Sequence, residues 1–126
     1  MSGWLTPRNV FVAVVLVAAG AGSRTGPGMP KQYRLIGGRP MLAWTVGAFV
    51  RALPGARIIP VISPLAEGLY RDVVSGLAPG EREALTDWVA GGASRQESAR
   101  AGVEACAVID GIKTVLIHDC ARPFAS

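Results

Sequence analysis

The feature that most limits how this chain can fold is an uninterrupted apolar run at residues 10–17, which a glycine-rich stretch follows directly. Valine dominates the run and no polar residue breaks it, a pattern typical of a strand that helices cover on both faces of a parallel sheet. The run is far shorter than the roughly 20 apolar residues that a membrane-spanning helix requires. We therefore predict a buried strand that opens an α/β fold, after a loose leader at residues 1–9.

Behind this strand, apolar segments alternate with helical patterns. Pro40 suits the first position of a helix, Ser63 with Pro64 indicates a second helix start, and Ser94 with Glu97 forms the capping-box pattern of a third. In chain order, we predict a strand at 10–17, a tight turn at 35–40, a helix at 40–53, a strand at 57–62, a helix at 65–76, a strand within 84–90, a helix at 95–107 and a buried strand at 114–117. This order predicts a doubly wound, mainly parallel α/β sheet with right-handed crossovers.

The composition favours one globular domain with a small acidic ligand. The 126 residues are 50% hydrophobic and carry a formal net charge of +4, so residues 10–126 suffice for part of a single domain with an apolar core. Basic residues form no long run and show no repeated spacing with aromatic residues, so we expect neither nucleic acid nor a membrane as a partner. Cys106 and Cys120 lack further ligands at zinc spacing, which favours reduced thiols in a cytoplasmic protein.

The loop behind the first strand has the features of a phosphate-binding site. Small residues let the backbone approach a ligand and aim its N–H groups at phosphate oxygens. The loop carries the cations Arg24 and Lys31, which repel each other unless an anion lies between them. The small residues in question are Ala18, Ala19, Gly20 and Gly22. A flexible strand-to-helix turn is the alternative interpretation of the two glycines alone.

Two further segments are predicted to reach the same edge of the sheet. Ligands of doubly wound sheets bind beyond the carboxyl ends of the strands, where residues 91–94 and 118–122 are expected beside the first loop. Asp119 at such an end either caps a turn or holds a divalent ion beside a polyphosphate. Arg95 and Ser98 lie in the first turn of a helix and are either surface groups or ligand contacts.

The ordered motifs of this chain resemble those of one family. They are Ala18-Ala19-Gly20-x-Gly22-x-Arg24, Pro30-Lys31-Gln32-Tyr33, Gly91-Gly92-x-x-Arg95-x-x-Ser98 and His118-Asp119-x-Ala121-Arg122-Pro123. Together they resemble the amino-terminal half of the 2-C-methyl-D-erythritol 4-phosphate cytidylyltransferases, which are Rossmann-like nucleotidyltransferases. The resemblance implies transfer of CMP from CTP to methylerythritol phosphate in isoprenoid precursor synthesis, with Mg²⁺ as cofactor, pyrophosphate as product and a homodimer as the full-length form.

The resemblance also implies a role for each matching residue. Arg24 and Lys31 match the cations that stabilise the pentacoordinate phosphate, and Asp119 matches a position next to ribose and metal. The implied contacts of the nucleotide CTP are Ala18, Ala19, Gly20, Gly22, Gly92, Arg95, Ser98 and Asp119. Two positions depart from the family pattern: Ala93 stands where an acid is common, and Cys120 where alanine is usual.

Three other hypotheses remain compatible with these residues. The sister activity on ribitol 5-phosphate shares the same amino-terminal motifs. A non-catalytic CTP-binding fragment is the second, since the chain stops just past a strand and before the family's acceptor-binding half. A partner-dependent half sheet is the third, because an unpaired strand edge after residue 117 invites association.

Overall fold

The computed structural model describes residues 11–19 and 30–120, and these form a four-stranded parallel sheet between helices. In chain order, the elements are β1 (Val12–Ala18), a 3-10 helix (Lys31–Tyr33), β2 (Leu35–Ile36), β3 (Arg39–Pro40), α1 (Met41–Ala52), β4 (Arg57–Ile62), a 3-10 helix (Pro64–Ala66), α2 (Glu67–Ser75), α3 (Pro79–Ala84), β5 (Val89–Ala90), α4 (Arg95–Cys106) and β6 (Thr114–Asp119). The predicted leader at residues 1–9 lies outside the described ranges.

The sheet order is β5-β4-β1-β6, and every neighbouring pair in it is parallel. β1 lies at the centre, where Ala18 is opposite Ile62 of β4 and Val17 is opposite Asp119 of β6. The carboxyl ends of these strands therefore meet at one edge, as predicted. The separate pair β2 and β3 is an antiparallel hairpin that turns through Gly37 and Gly38, both at positive φ.

The two faces of β1 are buried in different clusters, which explains its unbroken apolar sequence. Val14, Leu16 and Ala18 face the cluster beneath α1 and α2, whereas Val15 and Val17 face the cluster beneath α4. Helix α4 lies so close to the sheet that a Cβ added at Gly102 would overlap the Val15 side chain. Burial on both faces thus favours valine along β1 and a glycine in the helix above it.

Several predicted boundaries need correction. Pro40 belongs to β3 and occupies the N-cap position of α1 instead of its first helical position. A 3-10 turn at Pro64–Ala66 precedes α2, although Ser63 accepts a hydrogen bond from the Leu65 N–H as the cap prediction required. Within the segment 84–90 only Val89–Ala90 form a strand, and helix α3 ends at Ala84. Helix α3 was not predicted, because it is six residues long and buries no side chain.

The strand expected at 114–117 is confirmed, but the expectation that it is buried is wrong. β6 extends to Asp119 and lies at the edge of the described sheet, with Val115, Leu116 and Ile117 exposed by 37%, 40% and 56%. An apolar sequence indicates that a strand is suited to burial on both faces. It does not show which segment of the protein buries those faces.

No helix within the two described ranges is both long and apolar enough to cross a membrane.

Candidate functional site

The end of β1 and the segment after β5 lie in direct contact. The Gly91 N–H donates to the Ile62 carbonyl at 2.8 Å, which continues the pairing of β4 with the β5 segment. A Cβ added at Gly91 would overlap the Ala19 Cβ and lie 2.8 Å from the Ser98 Oγ. Glycine is therefore required for this close approach, and the predicted convergence of the loop behind β1 with residues 91–94 is confirmed where the structure describes that loop, at Ala19.

A dense capping network shapes the turn between Gly92 and α4. Ser94 Oγ accepts from the Glu97 N–H at 3.1 Å, while Glu97 Oε1 accepts from the N–H groups of Ala93 at 2.7 Å and Ser94 at 3.3 Å. Buried Ser98 accepts from the Gly92 N–H at 3.1 Å. The predicted capping box is confirmed, and Ser98 has a structural contact that the sequence did not reveal.

Asp119 and Arg95 link the third segment to this turn. Arg95 Nε lies 3.1 Å from Asp119 Oδ2, with side-chain exposures of 58% and 22%. A pair this open to solvent adds little stability, but it places the carboxylate at the end of β6 beside the first turn of α4. Two residues predicted to contact CTP therefore meet in space.

The predicted cation Lys31 lies on a turn that is tied to β1. It opens the 3-10 helix, in which the Tyr33 N–H donates to the Pro30 carbonyl at 3.0 Å and the Arg34 N–H donates to the Lys31 carbonyl at 3.1 Å. Lys31 is exposed, while Gln32 and Tyr33 are buried. The segment that follows β1 thus contains a short regular element at Lys31–Tyr33.

Gln32 is the residue of this region to which sequence reasoning gave no role. Its Nε2 donates to the Ala18 carbonyl at 2.7 Å, and its side chain is buried. The sequence indicated this residue only through its place in the motif Pro30-Lys31-Gln32-Tyr33, between a lysine and an aromatic residue. The predicted site residues Gly20, Gly22 and Arg24 lie outside the described ranges.

Burial controls the ionisable side chains next to Asp119. It raises the pKa of the Cys120 thiol to about 12, partly offset by the contact of Cys120 Sγ with Thr45 Oγ1 at 3.9 Å. Burial also lowers the pKa of His118, whose ring packs edge-on against Phe49 with centroids 5.3 Å apart. These environments fit the predicted packing histidine and reduced thiol, and Cys120 is a free cysteine.

The described residues suit Mg²⁺ only as a companion of a polyphosphate. Asp119 supplies one carboxylate, and no group of three or more potential ligands of the His, Cys, Asp or Glu type occurs in the described parts of the chain. Magnesium is usually held by one or two carboxylates together with substrate phosphates and water. Asp119 therefore fits a metal that arrives with its phosphate ligands.

Clefts also lie elsewhere on the described surface, and two of them illustrate this. One of about 480 Å³ lies beside α2 and is lined by Tyr70, Arg82 and Trp88 among others, and one of about 340 Å³ is lined by Tyr33, Arg39 and Asp72 among others. Neither is lined by a residue predicted to bind CTP.

Comparison with known proteins identifies the same family that the sequence motifs resemble. The family model described as IspD, 2-C-methyl-D-erythritol 4-phosphate cytidylyltransferase, matches residues 12–126. A bifunctional enzyme IspD/IspF from Caulobacter vibrioides is 43% identical over 114 residues, which are 90% of this chain and 28% of that protein. A bifunctional enzyme IspD/IspF from Bradyrhizobium diazoefficiens is 46% identical over 119 residues, which are 94% of this chain and 28% of that protein.

A solved structure shares the fold. The 4-diphosphocytidyl-2C-methyl-D-erythritol synthase from Anaerococcus prevotii superposes with a TM-score of 0.64 at 28% identity, covering 92% of this chain and 45% of that one. The chain thus spans less than a third of the length of these curated relatives and under half of the solved one. Since the family model matches nearly the whole chain, the resemblance inferred from the motifs is confirmed, and the chain belongs to the 2-C-methyl-D-erythritol 4-phosphate cytidylyltransferase family.

Proposed function

We propose that this chain binds CTP at the carboxyl ends of its strands, as part of a cytidylyltransferase that transfers CMP to 2-C-methyl-D-erythritol 4-phosphate and releases pyrophosphate. The observation that carries the proposal is the meeting of Ala19, Gly91 and the Arg95–Asp119 pair at one edge of a parallel sheet. Membership of the family supports the choice of nucleotide and acceptor.

In the proposed reaction, a phosphate oxygen of the acceptor attacks the α-phosphorus of CTP. A new P–O bond forms while the bond from the α-phosphorus to the bridging oxygen breaks, and that electron pair leaves with pyrophosphate. Negative charge is concentrated on the α-phosphoryl oxygens and on the leaving group, so fixed cations lower the barrier. We assign this role to Lys31 and Arg24.

The acceptor supplies its own nucleophile. A phosphate monoester has a second pKa near 6, so it is mostly doubly charged at neutral pH. No side chain is then required to remove a proton, and none of the described residues is assigned as a general base. The protein's contribution is to hold two anions together, which is a matter of positioning and charge.

The remaining candidate residues are assigned to nucleotide binding. Backbone N–H groups at Ala18, Ala19, Gly20 and Gly22 would contact phosphates, and Gly92 with Ser98 would form the base-binding turn. Arg95 and Asp119 would lie beside the ribose. Mg²⁺ held by the triphosphate and by Asp119 would supply charge neutralisation of the phosphates.

The proposal includes a cytoplasmic location and a homodimeric full-length enzyme. Two free, buried cysteines suit a reducing compartment. The homodimer follows from the family resemblance alone.

Calorimetric titration of the 126-residue chain with CTP and Mg²⁺ tests the site. We expect measurable binding that weakens about tenfold or more in Lys31→Ala and in Arg24→Ala, since each change removes a charge-assisted contact to phosphate. Lys113→Ala is the matched control, because Lys113 precedes β6 at the opposite end of the sheet and lies over the Phe11 ring. Failure of the folded wild-type chain to bind CTP would refute the site assignment.

The acceptor is tested by pyrophosphate release from CTP and Mg²⁺. Methylerythritol phosphate is expected to stimulate release and ribitol 5-phosphate is not, in a protein that carries the complete family domain around these residues. Stimulation by ribitol 5-phosphate alone would contradict the proposed acceptor while leaving the CTP site intact.

A further inference from the structure

We propose that Gln32 is a positioning residue that holds the Lys31 turn against the end of β1, so that both segments meet the phosphates of CTP as one preformed unit. The inference rests on the proposed function, which assigns Lys31 and the backbone of Ala18 to phosphate binding. It goes beyond that function because it gives a role to a side chain that need not touch either substrate.

The hydrogen bond of Gln32 joins two distant parts of the sequence. Its Nε2 lies 2.7 Å from the carbonyl oxygen of Ala18, the last residue of β1, and the two residues are 14 positions apart. Gln32 is 2% exposed, so water does not compete for this bond as it does at the surface. The bond thus fixes where the chain returns to the sheet after the loop.

The turn that carries Lys31 has little freedom once Gln32 is bound. The Tyr33 side chain is 3% exposed and belongs to the core cluster beneath α1 and α2. Hydrogen bonds of the Tyr33 and Arg34 N–H groups close the 3-10 helix on the Lys31 side. Two consecutive residues are therefore anchored in the interior, and Lys31 next to them is the exposed member of the turn.

This arrangement suits an anion-binding site. A lysine that is placed before the ligand arrives loses less conformational freedom on binding than one on a free loop. A carbonyl oxygen that faced the ligand would repel a phosphate. The Ala18 carbonyl instead accepts a hydrogen bond from the buried Gln32 amide, on the side of the protein interior. Gln32 therefore contributes to CTP affinity mainly through the placement of Lys31 beside the end of β1.

A double-mutant cycle separates positioning from general destabilisation. We measure CTP affinity in the presence of Mg²⁺ for wild type, Gln32→Met, Lys31→Ala and the double variant. Gln32→Met keeps the length of the side chain and removes its donor, and we expect affinity to fall about tenfold. The same change in the Lys31→Ala background is expected to have a much smaller effect, because the residue being positioned is absent.

A merely structural role gives a different result. It would lower the melting temperature of Gln32→Met while the folded protein bound CTP as wild type does, or it would give the same loss of affinity in both backgrounds. Either outcome overturns the inference. Gln32→Asn is the second variant in case Gln32→Met does not fold, because its shorter amide does not reach Ala18. Gln96→Met, at an exposed position on α4, is the control for the substitution itself.

Amide hydrogen exchange without ligand keeps this inference separate from the proposed function. We expect Gln32→Met to speed exchange of the Tyr33 and Arg34 amides at least tenfold, with the amides of central β1 unchanged. Unchanged exchange at Tyr33 and Arg34 would overturn the positioning role even if CTP binds. Absence of CTP binding by wild type would instead refute the proposed function.

Discussion

Gly91 shows how little room separates the two segments that form the candidate site. A side chain there would overlap Ala19 and press on Ser98, so the absence of a Cβ lets the end of β1 approach the turn before α4. Gly68 offers a contrast, because it lies exposed in α2 with no atom within 4 Å of an added Cβ. Close packing therefore requires glycine at position 91, whereas the space around position 68 would accept a side chain.

Alanine substitutions at these two glycines should have opposite effects. Gly91→Ala is expected to destabilise the fold by about 1–3 kcal/mol through overpacking and to weaken CTP binding. Gly68→Ala should stabilise it by about 0.5–1 kcal/mol, because alanine favours the helical conformation. Urea unfolding with CTP titration checks both, and equal stability of the two variants would contradict the packing explanation.

Helix α4 is the element that brings most of the candidate site together. Its first turn carries Arg95 and Ser98, its cap orders the N–H groups of Ala93 and Ser94, and its middle fits closely onto β1 at Gly102. The position of the whole turn after β5 therefore depends on where this helix begins.

The cap of α4 should be measurable by one substitution. Ser94→Ala removes the oxygen that accepts from the Glu97 N–H at 3.1 Å, and we expect a loss of about 1 kcal/mol of stability. Ser63→Ala is the matched comparison, since its bond to the Leu65 N–H is 3.3 Å long and caps a three-residue 3-10 helix. Chemical denaturation of both variants tests this, and a larger loss in Ser63→Ala would count against the assigned role of Ser94.

At the scale of the whole molecule, the two edge strands of the described sheet, β5 and β6, differ in length and apolar surface. β5 contributes two residues at one edge, whereas β6 contributes six at the other with apolar side chains on both faces. Val115 and Ile117 lie opposite Ala13 and Val15 on the α4 side, and Leu116 lies opposite Val14 on the other. An apolar edge strand of this length is able to pair with another chain.

We therefore expect the 126-residue chain to associate with increasing concentration. Ile117→Lys should reduce association, because a charge on an edge strand disfavours a new strand beside it. Val108→Lys is the control, since Val108 is 84% exposed but lies outside β6. Sedimentation velocity over a concentration series measures the effect, and a wild-type monomer at every concentration would contradict the expectation.

Much of the fold was predictable because it depends on local sequence. Apolar runs predicted β1 and β4, with β4 correct to the residue, and the Ser94–Glu97 pattern predicted the start of α4. Helix α3 escaped prediction because it buries no side chain and has no apolar periodicity. The exposure of β6 was not predicted either. Apolar residues show that a strand is suited to a buried environment, but they do not show that it is buried in the folded chain.

The sequence by itself determined the main alternation of strands and helices apart from α3, the motifs of the family and the two cations assigned to phosphate binding. Only the tertiary structure decided that Gly91 lies against Ala19, that Arg95 pairs with Asp119, and that Gln32 ties the Lys31 turn to β1. The reason is physical: propensity and periodicity act between near neighbours, whereas these contacts join residues 14 to 72 positions apart and depend on how the strands pair.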